Sequence, residues 1–96
     1  MTPEGKVKMK VSQTLIERGT SVYYHMPVPG GYGVTTLDYV GVFAGKFFAI
    51  ETKKLGGKPT DRQLLIIQMI EAAGGRVFVI DGPTGIIELR KWLGLV

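Results

Sequence analysis

Glu51 and Lys53 stand two residues apart at the end of a run that is otherwise apolar, Phe47-Phe48-Ala49-Ile50. Alternate residues of a strand share a face, so this carboxylate and ammonium project from one side while Thr52 points to the other. Asp38 lies between Leu37 and Tyr39, in the middle of a second strand-like run, Thr36–Phe43. Acids are depleted in strand interiors, and an inward charge is costly unless it is paired or bound to metal. A turn at Ala44-Gly45 between the two runs sets Asp38 and Glu51 at equal distances from its centre, opposite one another. Facing carboxylates repel unless something positive lies between them. Lys53 supplies part of that charge, and a divalent cation suits the site better, because hard oxygen ligands select magnesium or manganese.

Two more polar residues look toward the same place. Glu4 falls within the helical stripe of Val7, Val11 and Leu15. Gln63 shares the face of Ile66, Ile67 and Ile70 at spacings of three, four and seven. A simpler role is open to each: Glu4 as an acid at the positive end of a helix, Gln63 as a polar residue of a first helical turn. The candidate set is therefore Glu4, Asp38, Glu51, Lys53 and Gln63.

The elements that must position this set follow from local signals. Thr2-Pro3-Glu4 reads as a helix start, with a hydroxyl cap, a proline in the first turn and an acid near the dipole. Gly19 ends that helix. Val22–Met26 is β-prone, and Pro27–Gly33 reads as a flexible loop. Thr36–Phe43 and Lys46–Lys53 form a hairpin. Thr60 caps a second helix that ends near Gly74-Gly75, Arg76–Asp81 is a short buried strand, and Pro83–Leu93 is a last helix with Ile86, Leu89 and Leu93 on one face. The order α-β-β-β-α-β-α, with a helix crossing over between hairpin and final strand, predicts an α/β fold in which helices flank a mixed sheet.

Asp38 followed thirteen residues later by the Glu51-Thr52-Lys53 triplet resembles the core of the PD-(D/E)xK nucleases. With Glu4 on an opening helix, Gly19 after it and Pro59-Thr60-Asp61-Arg62-Gln63 after the lysine, the chain is similar to the small stand-alone form of the VRR-NUC (virus-type replication-repair nuclease) domain from Glu4 to about Ile80. It departs from that pattern in lacking a proline before Asp38, where Gly33-Val34-Thr35-Thr36-Leu37 stands. The resemblance implies that Asp38 and Glu51 bind Mg2+ or Mn2+ together with the backbone carbonyl of Thr52. It implies that Glu4 holds the metal directly or through water, and that Lys53 orients the attacking water and stabilises charge at the scissile phosphate. Gln63 would position Lys53 or a phosphate. The implied substrate is DNA, cut by phosphodiester hydrolysis, and small dimeric members are associated with four-way junctions. A bacterial, viral or phage source would fit this form.

Composition agrees with one domain spanning residues 1–96. A hydrophobic content of 45% excludes intrinsic disorder. An apolar run such as Leu64–Ile67 is far shorter than the ~20 residues a membrane span needs, so no membrane partner is expected. No secretory leader is legible and no cysteine is present, which predicts an intracellular protein without disulfides or thiolate metal sites. Residues 1–62 carry nine Lys or Arg against five acids, while residues 63–96 carry three of each. The whole net charge of +4 thus belongs to the first two-thirds, which favours a polyanionic partner. Tyr23, Tyr24 and Tyr32 are candidates for stacking on bases. His25 has no second histidine with which to form a metal pair. Leu65 and Met69 lie off the sheet-facing stripe of the second helix, which predicts a homodimer unless the helix bearing Trp92 covers them. A non-catalytic nucleic-acid-binding module on the same fold is the alternative to a nuclease.

Overall fold

The chain's opening helix begins where its hydroxyl cap predicts. In the computed structural model, which describes residues 1–28 and 35–95, α1 spans Pro3–Arg18 and the Thr2 hydroxyl accepts from the Gly5 amide at 3.0 Å. A short 3-10 turn, Gly19–Ser21, leads into β1 (Val22–His25). Then follow β2 (Tyr39–Phe43), β3 (Lys46–Thr52), α2 (Asp61–Ala72), β4 (Arg76–Ile80) and α3 (Pro83–Trp92). The order matches the sequence reading. The strands lie side by side in chain order, β1-β2-β3-β4. The first two pairings are antiparallel, and β3 with β4 is parallel. A parallel pair needs a crossover, and α2 supplies it.

Each face of the sheet has its own apolar cover. On one face, Val22, Tyr39, Phe48, Ile50, Phe78 and Ile80 pack with Val11 and Leu15 of α1 and with Leu89 and Leu93 of α3. Trp92 completes this layer, its ring 5.4 Å from that of Phe43 and 5.5 Å from those of Phe48 and Phe78. On the opposite face, Ala49, Val40 and Val77 meet Ile66, Ile67 and Ile70 of α2. Trp92 therefore covers the α1/α3 face and leaves the outer side of α2 open, with Leu65 57% and Met69 60% exposed. Tyr24 packs into the first layer, whereas Tyr23 stands exposed beside His25.

The hairpin turn is tight. Ala44 and Gly45 both take positive φ, at 52° and 78°, the pairing a two-residue I′ turn requires. It sets Phe43 against Lys46 and carries the register back to Tyr39 against Ile50. Gly41 allows β1 to close on this hairpin, since a Cβ there would collide with the Tyr23 carbonyl.

Five boundaries change in detail. β1 stops at His25, β3 at Thr52, β4 at Ile80 and α3 at Trp92, one residue short in each case. β2 starts at Tyr39 rather than Thr36, so Asp38 precedes the strand instead of lying within it. Most of the loop read at Pro27–Gly33, including Tyr32, lies outside the described residues. Among those described, no helix is long and apolar enough to cross a membrane.

Candidate functional site

The late start of β2 has a chemical cause. Asp38 turns its carboxylate onto the end of β3, where Oδ2 accepts from the Thr52 amide at 2.8 Å and from the Thr52 hydroxyl at 2.7 Å. The side chain thus takes an amide that a longer β2 would bond through its own backbone, and the ladder ends one pair earlier. Extended by one step, the register still sets Asp38 opposite Glu51, as the turn position predicts. Thr52 is fully buried, so both of its donors need an acceptor, and Asp38 satisfies them together.

Glu51 is sealed in the sheet, with only 3% of its surface exposed. Its Oε2 accepts from the Gln63 side-chain amide at 2.9 Å and lies 3.4 Å from the Lys53 ammonium. Its Oε1 is buried and makes no close hydrogen bond to another described residue, although the Asp38 backbone amide lies near enough to pull the carboxyl's pKa down. Burial pushes the Glu51 carboxyl above its ordinary range, the Asp38 charge pushes it further, and Lys53 pulls it partly back. Lys53 is anchored through its backbone, whose amide donates to the Ile80 carbonyl at 2.9 Å across to β4.

Gln63 fills both roles that the sequence left open. Its backbone amide donates to the Thr60 hydroxyl at 3.2 Å, and its Oε1 accepts from the Thr60 amide at 2.9 Å, closing a capping box at the start of α2. That box fixes the side chain so that its Nε2 faces Glu51. Glu51, rather than Lys53 or open space for a phosphate, is the group it orients.

The opening helix contributes a residue that sequence reasoning missed. Lys8 reaches to 3.5 Å from Asp38 Oδ1. The Tyr39 hydroxyl donates to the Lys8 carbonyl at 3.0 Å and meets the Ser12 hydroxyl at 2.7 Å, which pins α1 over β2 at this point. Lys8 stands one helical turn beyond Glu4, and that i, i+4 spacing was the available signal. Glu4 itself sits in the first turn of α1, where an acid favours the helix dipole. Among the described residues no three His, Cys, Asp or Glu side chains gather closely enough to hold a metal ion, so Glu4 does not join Asp38 and Glu51 in one ligand set.

A hard cation here would have to be held by Asp38 and Glu51 alone, since magnesium keeps several waters and is bound through one or two carboxylates. Two carboxylates, each oriented by a second residue, thus converge with a lysine at the end of β3. No family model matches the chain and no curated protein matches it, so the reading of this site rests on its own geometry.

Proposed function

We propose that the chain is a divalent-metal-dependent nuclease that hydrolyses phosphodiester bonds in DNA. One observation carries the reading: Glu51 is buried with a carboxylate oxygen that lacks a close partner, beside Asp38 and within ion-pair distance of Lys53. A buried carboxylate oxygen without a close partner can take a positively charged ligand. Asp38 and Glu51 would hold Mg2+ or Mn2+, with the Thr52 carbonyl as a further oxygen, and the bound ion would polarise the phosphate and acidify a water. Thr52 holds Asp38 in place, and Gln63 does the same for Glu51. Lys53 supplies a fixed cation for the charge that develops on the phosphate oxygens. Lys8 neutralises Asp38 from the α1 side until substrate and ion arrive.

The open outer side of α2, with Leu65 and Met69, supports a homodimer of two-fold symmetry. Two cutting centres related by such an axis would suit paired incisions on a four-way junction. Among the described residues no third carboxylate joins the pair, which favours the second reading, a module that binds DNA without cutting it. One experiment separates them: incubation with flap, four-way-junction, single-stranded and duplex DNA, with manganese and with chelator. Manganese-dependent products that disappear in chelator and in the Lys53→Ala protein support the nuclease. Binding without any product supports the module.

A further inference from the structure

Each carboxylate at the end of β3 already carries a lysine. Lys8 of α1 lies 3.5 Å from Asp38 Oδ1, and Lys53 lies 3.4 Å from Glu51 Oε2. Among the described residues, two negative charges here meet two positive ones. Gln63 and Thr52, which also bond to the carboxylates, are neutral. Affinity for a hard cation follows the charge that its ligands bring, and the two lysines cancel that charge. A divalent cation entering the balanced group leaves it positive.

The two lysines are held differently. Lys53 follows Glu51 on the same stretch of chain, and its side chain is 16% exposed. Lys8 reaches across from another element, and its side chain is 37% exposed. Its backbone is fixed: the Tyr39 hydroxyl donates to the Lys8 carbonyl at 3.0 Å and meets the Ser12 hydroxyl at 2.7 Å. The base of the side chain is therefore anchored, while the ammonium has solvent to swing through. Asp38 is divided in a similar way. Thr52 takes Oδ2 with both of its donors, whereas Oδ1 faces the Lys8 ammonium. A half-exposed pair of this kind is held weakly, so Lys8 is the member that can exchange partners.

A phosphodiester supplies the negative charge that the group lacks. We infer that Lys8 is a phosphate-binding residue that makes cation and DNA binding depend on one another. In the DNA-free protein its ammonium holds Asp38 Oδ1 and opposes the cation. Beside a phosphodiester it passes to a phosphate oxygen and frees Oδ1 for the cation. This deepens the nuclease reading and rests on its assignment of Asp38 and Glu51 to the ion. The consequence is a site that takes up its ion with the substrate rather than before it.

The test reads binding rather than cleavage. The EPR signal of free Mn2+ follows ion uptake by the DNA-free protein. Anisotropy follows a fluorescent phosphorothioate duplex, which resists hydrolysis, in chelator and in manganese at one ionic strength. Lys8→Met keeps the aliphatic stem and removes the charge. It is expected to bind Mn2+ about tenfold more tightly, since a unit charge within ~6 Å of a divalent ion has that effect even in the dielectric of water. The unmodified protein is expected to bind the duplex about tenfold more tightly in manganese than in chelator, the reciprocal of the same coupling. In Lys8→Met that gain is expected to shrink to about threefold or less, while Lys8→Arg, which keeps the charge, retains it. Mn2+ affinity that is unchanged or lowered in Lys8→Met would overturn the inference. So would duplex binding by the unmodified protein that ignores manganese, or a manganese gain that survives Lys8→Met in full and leaves Lys8 a plain counter-ion of Asp38. Cleavage decides the nuclease reading separately. Coupled binding without products removes the nuclease and keeps this inference. Manganese-dependent products from a protein whose Lys8→Met variant binds ion and duplex as before do the reverse.

Discussion

Glu51→Gln and Asp38→Asn each remove one negative charge from the same end of β3, and their effects on stability are expected to have opposite signs. Glu51 is nearly sealed, faces Asp38 and has one oxygen without a close partner; burial and repulsion outweigh the attraction of Lys53 at 3.4 Å. Glutamine keeps an acceptor for the Gln63 amide and discards the charge, and Lys53 can extend its ammonium toward solvent. The metal-free protein should gain about 1 kcal/mol, in the range found when a functional strain is relieved. Asp38 is the reverse case, because its Oδ2 takes two donors from buried Thr52 at 2.8 and 2.7 Å. Charge-assisted bonds are roughly twice as strong as neutral ones, so asparagine should lose about 1 kcal/mol per bond, or about 1.5 kcal/mol net of the repulsion it relieves. At about 4–8 °C per kcal/mol for a chain of this size, Tm in chelator should rise by about 4–8 °C for Glu51→Gln and fall by about 6–12 °C for Asp38→Asn. A pH series adds a check on cause. Because the Glu51 pKa is raised in the fold, the native state holds its proton more tightly. Its favourable effect is complete below the ordinary value near 4.5 and is lost as pH rises through the folded value. The advantage of Glu51→Gln should therefore vanish at acid pH. Shifts of the same sign for both variants at neutral pH, or a pH-independent gain for Glu51→Gln, would refute the assignment of strain to one carboxylate and support to the other.

Lys53→Ala should abolish manganese-dependent cleavage while circular dichroism stays native, because the backbone bond to Ile80 does not need the side chain; retained cleavage would remove its catalytic role. Gln63→Ala breaks the capping box and frees Glu51, so urea unfolding should show a loss of about 1–2 kcal/mol. Trp92→Ala empties the contact with three phenyl rings and should cost about 3–5 kcal/mol by the same measurement. Glu17 accepts from both terminal nitrogens of Arg90, which holds its carboxyl below the usual range. The pair should add stability above the ordinary carboxylate value and lose it as pH falls through the lowered one; Arg90→Ala should return the Glu17 titration to normal by NMR.

Much of the frame was legible because its signals are local. Thr2 and Thr60 announce helix starts, Ala44-Gly45 announces the hairpin, and the turn centre alone pairs position 38 with position 51. What escaped depends on side-chain reach across elements. Strand propensity in Thr36-Leu37-Asp38 could not show that the Asp38 carboxylate would take the Thr52 amide and end the ladder. The lysine on Asp38 comes from α1, where Lys8 lies on the side opposite Lys6 and Lys10, and only its spacing of four from Glu4 hinted at a place near the site. Gln63 was placed on the right face, but its partner followed from the capping box, which orients the amide toward Glu51. The exposure of Leu65 and Met69 was read from helical spacing, and the structure adds that Trp92 is occupied on the far face.

Asp38, Glu51, Lys53 and Gln63 all fall on one unbroken stretch of chain, from the residue before β2, through β3 and the residue after it, to the first turn of α2. Their mutual contacts close short loops, and short loops close early, because the entropy lost in bringing ends together grows with separation. By contrast, α1 and α3 join the opposite face from the two ends of the chain, through contacts of long sequence separation. The order of assembly this suggests puts the reactive groups in place before the molecule has its full cover. The candidate site, Lys8 apart, is then carried by a single segment of chain between Asp38 and Gln63.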